Sequence, residues 1–444
     1  MDEELLTTEQ KQENKPNNVF KNKNYTLVFL GALVSNVAAL FYSFAVSFYI
    51  LKITGNNALI QGLYLGVGGI TFCVVTLFGG VVADRFNKAK IMYICDYLKG
   101  GIIIGFTFLL MFVIKSTEWK VAALFIVTVL LNAIAGLFSP ASSALLPQIV
   151  EEHQFQQAQS YFSILSSFQS IVGVVLAGVL YTLIPINVLF FIVGGCYILS
   201  AISEMFIKYT SQFEKRNEKL TMKAVFGDIK DGFVYLKSIK ALLVLLICIL
   251  FINFFFSPLF DNFPAYFVAT DITGSNYFFH ESMAPEMWSS FFSVAVGLGS
   301  LTMGIILSNL KQAEKCNHTV RWSMMAVSFL VIMMAFFYGL FANNVIGINA
   351  LLIVLLIILF LIGVSIILIN VPSSAAMMKI VDKDKFGKLS SVTSIGSQGL
   401  IPLSMFLGGI VLTYVNSLGL LIVCASGLLI TSLVLFFAPS VRTI

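Results

Sequence analysis

Asp84 and Arg85 stand side by side in the stretch GGVVADRFNKAK, residues 79–90, with Lys88 and Lys90 just beyond and long apolar runs on both sides. A carboxylate where an apolar helix ends can cap the positive N-terminal end of a neighbouring helix. A guanidinium beside it can fork onto a second carboxylate, and Asp96 is the nearest in sequence. Contacts of this kind make a latch that is closed in one state of a molecule and broken in another, worth about a few kcal/mol in total. The plainer reading makes Arg85, Lys88 and Lys90 anchors on the positive side of a membrane. It leaves Asp84 unexplained, because charge bias calls for no aspartate.

Two further carboxylates lie in apolar surroundings, where ionisable groups are functional candidates. Glu204 falls near the end of an apolar run, four residues before Lys208. An i,i+4 ion pair at the membrane surface accounts for it as readily as proton coupling does. Asp261 lies in FSPLFDNFPAYF between Pro258 and Pro264, which break or kink a helix and free backbone groups. It reads either as a proton-binding group facing an outward-open cavity or as a surface residue at the outer end of a helix. No carboxylate is expected squarely at mid-run. Neutral groups are: Asn36, Asn132, Gln169 and Asn253, each of which can equally join helices by hydrogen bonds. Phe41, Tyr42 and Tyr49 can supply aromatic walls to such a polar, uncharged cavity, which suits large amphipathic compounds better than small anions.

The elements that must hold these groups are membrane spans. The 444 residues are 58% hydrophobic and only 11% charged, against about a quarter charged in a soluble domain. Continuous apolar runs of about 20 residues indicate transmembrane helices and not the alternating segments of a barrel. Twelve spans are read at 26–51, 58–83, 91–114, 121–146, 160–184, 186–207, 241–269, 286–309, 319–341, 345–370, 389–413 and 417–439. With the N-terminus cytoplasmic, inner segments collect 24 of the 27 Lys and Arg, and only Lys52, Lys115 and Lys120 fall outside. This is a strong positive-inside bias, and the count assigns no cation to a membrane interior. It also accounts for the net charge of +5, so no nucleic-acid partner is expected.

Residues 1–24 read as a polar, mobile cytoplasmic tail. The first apolar run reads as a retained helix, being too long for a signal-peptide core. The longest polar interruption, 208–240, divides the spans into sets at 25–207 and 241–444. Within it Val225, Ile229, Phe233 and Leu236 share a helical face, which predicts an amphipathic helix on the inner membrane surface. The halves echo each other: Pro140-Ala-Ser-Ser-Ala-Leu-Leu returns as Pro372-Ser-Ser-Ala-Ala-Met-Met, and Phe155 and Gly178 return as Phe386 and Gly409. Two parallel six-helix repeats follow, an architecture known among secondary transporters.

The stretch from Gly80 through Asp84, Arg85, Lys88 and Lys90 resembles the signature loop of the major facilitator superfamily. The opening segment LGALVSNVAALFYSFAVSFYILKITGN resembles the branch of drug antiporters that contains macrolide-efflux proteins and siderophore exporters, a likeness that runs from Leu30 through Gly100 and weakly further. The resemblance implies the all-α major facilitator fold, in which helices 1, 4, 7 and 10 line the central cavity and Asp84 caps helix 11 at a cytoplasmic gate. The second half carries a worn copy, Gly304-Ile-Ile-Leu-Ser-Asn-Leu, with Ser308 and Asn309 in place of the charged pair. Two departures stand out: Val174 where drug antiporters often carry Pro, and Ala38-Ala39 where many carry a more polar residue.

No enzyme is expected. The three histidines lie in loops, the six cysteines lack metal-site spacing, and no phosphate-binding glycine loop appears, so neither cofactor, metal nor ATP drive is implied. The expected protein is an ion-gradient-driven exporter of amphipathic compounds such as macrolides. It is expected to work as a monomer, coupled to protons or another ion, with both termini inside a bacterial cytoplasmic membrane. Uptake of a nutrient, siderophore or peptide, and a non-transporting membrane sensor, remain alternatives.

Overall fold

A computed structural model describes residues 19–151, 154–208, 240–309, 317–380 and 398–437. The linker with its expected amphipathic helix, and most of the N-terminal tail, lie outside these residues. The described part of the tail is packed: Val19 is fully buried, and Phe20 makes edge-to-face contacts with Tyr25 and Tyr161. These rings outweigh the polar composition of the surrounding stretch.

The described chain is helical, in segments numbered by span: α1 (Lys23–Ile53), α2 (Ala58–Arg85), α3 (Lys88–Phe112), α4 (Thr117–Ile149), α5 (Phe155–Phe168, a π turn at Gln169–Gly173, then Val174–Leu183) and α6 (Ile186–Met205). After the linker follow α7 (Lys240–Asp261, Phe263–Phe267, then a π turn at Val268–Ile272), α8 (Met287–Asn309), α9 (Asn317–Ala342), α10 (Ile348–Ile380), α11 (Ile401–Tyr414) and α12 (Ser417–Phe437). Eleven segments are long and apolar enough to cross a membrane. The twelfth, α11, is shorter because its expected first part, from 389, lies outside the described residues.

Asparagines start the first three helices. The side chains of Asn22, Asn57 and Asn87 accept hydrogen bonds from free backbone N–H groups of the first turn. Only Phe86 and Asn87 separate α2 from α3. The expected loop is therefore mostly helix, with Asp84 and Arg85 in the last turn of α2 and Lys88 and Lys90 in the first turn of α3. Both repeated proline motifs lie inside helices of 33 residues, Pro140 in α4 and Pro372 in α10.

The packing repeats as the sequence does. In the first set α2 lies on α4, α3 on α6 and α1 on α6; in the second α8 lies on α10, α9 on α12 and α7 on α12. The first set has its own apolar core, and the core of the second also takes in Phe48 and Leu51 of α1 and Ala58 of α2. The short connections make the helices alternate in direction, so α1 starts at what is here called the tail end and α2 at the far end.

Candidate functional site

The two sets meet through α2 on α11 and α5 on α8. A methyl group on Gly62 would lie 2.8 Å from the Cα of Gly409, and one on Gly69 would lie 2.8 Å from the ring of Pro402. On the other side, Ser290 donates to the Val174 carbonyl at 2.9 Å and its side chain fills the space beside Gly178. Lower down, a methyl on Gly297 would press on Ile171 at 2.9 Å. These contacts lie in the far-end halves of α2, α5 and α8. Gly178 and Gly409, repeat-related in sequence, thus occupy the two equivalent crossings. The tail-end glycines Gly80 and Gly304, also repeat-related, stand clear: among the described residues, nothing would lie within 4 Å of a methyl group added at either.

The gate residues divide. Gly80 is half-buried with nothing among the described residues within 4 Å of an added methyl, Lys90 is exposed and Lys88 is buried. The Asp84 and Arg85 side chains lie outside the described set. Asp96 is fully buried, and its carboxylate is engaged elsewhere: Lys99 Nζ lies 3.0 Å from Oδ1, and Ser200 Oγ donates to Oδ2 at 2.7 Å.

That pair corrects the charge count. Lys99 is the twelfth residue of α3, 7% exposed, with its ammonium 4.2 Å from the centre of the Phe138 ring and 5.2 Å from that of Tyr197. A cation does occupy the interior. Glu204 is corrected too. It is fully buried, neither carboxylate oxygen has a hydrogen-bond partner among the described residues, and Lys208 is exposed with its backbone paired to Asn24. The expected surface ion pair is therefore not what holds Glu204.

Asp261 lies within a continuing span. The helix runs on past Pro258 and Pro264, so the span extends from Leu246 to Ile272 and Asp261 is its sixteenth residue of 27. A carboxylate does stand near mid-span, and its residue is exposed. Its neighbour Asn262 is buried and donates to the Met405 carbonyl at 3.1 Å, tying α7 to α11.

Asn36 is exposed on α1, in line with Ala39 and Ser43. Leu40, one turn on, would touch a methyl on Gly173 at 3.5 Å, which sets α1 against the π turn of α5. Gln169 is one turn from Gly173 towards the tail end, as Asn36 is from Leu40, so the two amides lie at one level. Gln169 is buried, and its Nε2 lacks a partner among the described residues. π turns inside α-helices recur at functional sites. Asn132 instead donates to Thr128 in its own helix at 2.9 Å and fills the space beside Gly68, so it packs α4 on α2. Asn253 is half-buried in α7. Tyr42 is not a cavity wall; it belongs to the core of the first set, its ring 5.6 Å from that of Phe190. At the far end a hollow of about 440 Å³ gathers Lys52, Lys120 and Glu286 around Tyr49 and Tyr181.

Comparison with known proteins agrees with this architecture. Residues 27–401 match the family model described as Major Facilitator Superfamily. An uncharacterized MFS-type transporter of Bacillus subtilis, YkuC, is 24% identical over 84% of this chain and 82% of its own. Macrolide efflux protein A of Streptococcus pyogenes is 23% identical over 65% of this chain and 67% of its own. Among solved structures, a D-xylose-proton symporter superposes with a TM-score of 0.71 at 10% identity, covering 96% of this chain and 100% of that one. A bacterial homologue of the iron transporter ferroportin, in an inward-facing state, gives 0.67 at 16% identity over 93% and 97%. The doubled six-helix pattern, the crossings of α2 with α11 and α5 with α8, and a family match over most of the sequence lead to one conclusion: the chain belongs to the Major Facilitator Superfamily of multi-pass membrane transporters.

Proposed function

We propose that the protein is a proton-driven exporter of amphipathic compounds that works by alternating access, with both termini in the cytoplasm. The carrying observation is the asymmetry of the two ends. Small residues close the far end at both repeat-related crossings, while among the described residues Gly80 and Gly304 meet no neighbour at the tail end. With the positive-inside orientation, the closed far end supports a state shut to the outside, the one from which an exporter loads. The solved ferroportin homologue of similar fold is likewise inward-facing.

The cavity side supports an amphipathic substrate. Asn36 and Gln169 offer uncharged hydrogen-bonding groups at one level. Asp261 offers a carboxylate near mid-span, where facing lipid would cost roughly 2.5–3.5 kcal/mol, so a water-filled cavity is its reasonable environment. The similarity to macrolide efflux protein A favours export over uptake.

The test is efflux of a fluorescent amphipathic dye from energised cells carrying wild type, Asp84→Asn or Asp261→Asn. Wild type should empty the cells faster than the vector control, a protonophore should abolish the difference, and both variants should lose it. Equal rates in wild-type and control cells, for the dye, a macrolide and a siderophore alike, would refute the exporter.

A further inference from the structure

We propose that Asp96, Lys99, Ser200 and Glu204 form a buried proton-binding site inside the first helix set, in which one proton is held on Glu204. The proposal deepens the proton-driven reading above and rests on it for its role in transport, though not for the binding itself.

The site joins three helices. Asp96 and Lys99 share one face of α3, Ser200 and Glu204 share one face of α6, and α1 closes over them at Gly31. The approach of α1 is close: a methyl on Gly31 would lie 3.0 Å from Glu204 Cγ, 3.1 Å from Oε1 and 3.4 Å from Ser200 Oγ. All four polar residues are nine-tenths or more buried.

Counting charges shows the site to be one positive charge short. Two carboxylates and one ammonium leave a net charge of −1 in an enclosed pocket, a costly arrangement. The Lys99 ammonium lies on Asp96, and its other contacts are the faces of Phe138 and Tyr197. Ser200 Oγ lies 2.7 Å from Asp96 Oδ2 and 3.0 Å from the Gly31 carbonyl, so its hydroxyl is engaged on Asp96 and α1 and not on Glu204. Among the described residues no donor reaches either oxygen of Glu204. Asp96 has partners that support its charge and Glu204 has none there, so the added proton belongs on Glu204.

The titratable neighbours are few. α3 adds Cys95 and α6 adds Tyr197; α4 contributes the Phe138 ring, and α1 contributes only the Gly31 carbonyl. The link to transport is α1 itself, which covers the site with Gly31 and carries Asn36 on its exposed face. Tilting α1 as the cavity changes sides uncovers Glu204 and lets the proton leave.

Infrared difference spectra of the purified full-length protein, taken across a pH titration in H2O and D2O, test this directly. Wild type should show the C=O stretch of a buried protonated carboxyl, downshifted in D2O. Glu204→Gln, which keeps the size and hydrogen-bonding shape of the protonated acid, should abolish that band, and Asp96→Asn should move it. Persistence of the band in Glu204→Gln, its absence from wild type, or its indifference to Asp96→Asn would overturn the site. Gel filtration of each variant, with Ser200→Ala as a milder perturbation expected only to shift the band, guards against misfolding. In proteoliposomes Glu204→Gln should keep downhill dye exchange and lose uphill transport driven by a pH gradient. If wild type moves no dye at all, the exporter reading fails while the infrared result still decides the binding site.

Discussion

At the scale of single residues, the feature with the largest energetic consequence is the ammonium of Lys99. It sits 3.0 Å from Asp96 and under two aromatic rings, with almost no access to solvent. Breaking a buried pair by removing one partner costs about 3–5 kcal/mol, because the other charge is left uncompensated. Lys99→Met should therefore lower the melting temperature of the purified protein sharply, and adding Asp96→Asn to it should recover much of the loss. A melting temperature unchanged by Lys99→Met would mean that the pair does not form. The signal for this pair is visible in the sequence as an acid and a base three apart on one face of an apolar helix. Sorting cations by loops alone hides it, because Lys99 then counts with the basic residues that precede its span. The state of Glu204 is not readable in that way. Its isolation depends on α1 arriving at Gly31, a contact between residues 173 positions apart that no local pattern encodes.

At the scale of helices, the sequence patterns locate the spans well and leave open what happens at prolines. Pro258 and Pro264 mark a break or kink within the span read at 241–269, and leave Asp261 either facing a cavity or at the outer surface. In the structure α7 continues through Asn262 and finishes in a π turn, so Asp261 lies within the helix and not at its end. The bend is tied to its neighbour there, because the Asn262 side chain donates to the Met405 carbonyl of α11. The helix-2 glycines are legible as close-packing positions, but not that their partner is α11 of the other set. Gly62 is the sharpest case, since a methyl there meets the Gly409 Cα and the Met405 carbonyl oxygen, both backbone atoms, at 2.8 Å. Backbone cannot step aside as a side chain can, so Gly62→Leu should push α2 off α11. Overpacking of this kind costs about 1–3 kcal/mol, enough to move an equilibrium between two transporter states by about fivefold to about a hundredfold. Spin labels at the exposed far-end positions Glu118 and Tyr414 should report a longer distance in the variant than in wild type. An unchanged distance would show that the far end stays closed without the α2–α11 contact.

At the scale of the whole molecule, orientation and state can be tested separately. The positive-inside bias puts the tail end in the cytoplasm, so a cysteine at Lys115, in the exposed α3–α4 turn, should react with an impermeant thiol reagent in whole cells, and one at Lys21 should not. The reverse pattern would invert the protein and turn the proposed loading state outward. The state is tested by fixing the far end shut. The Cβ position of Gly178 lies 3.4 Å from Ser290 Cβ, at the short edge of what a disulfide spans. The serine oxygen that crowds Gly178 disappears when both residues become cysteine. In Gly178→Cys/Ser290→Cys the oxidised protein should form this bridge between α5 and α8 without moving either helix far. Because the bridge holds one closed crossing of a pair that must open together, oxidation should stop dye transport and a reductant should restore it. Thiol access at the tail end should persist throughout. If the oxidised protein still transports dye, the α5–α8 crossing does not part during the cycle, and alternating access through this interface is ruled out.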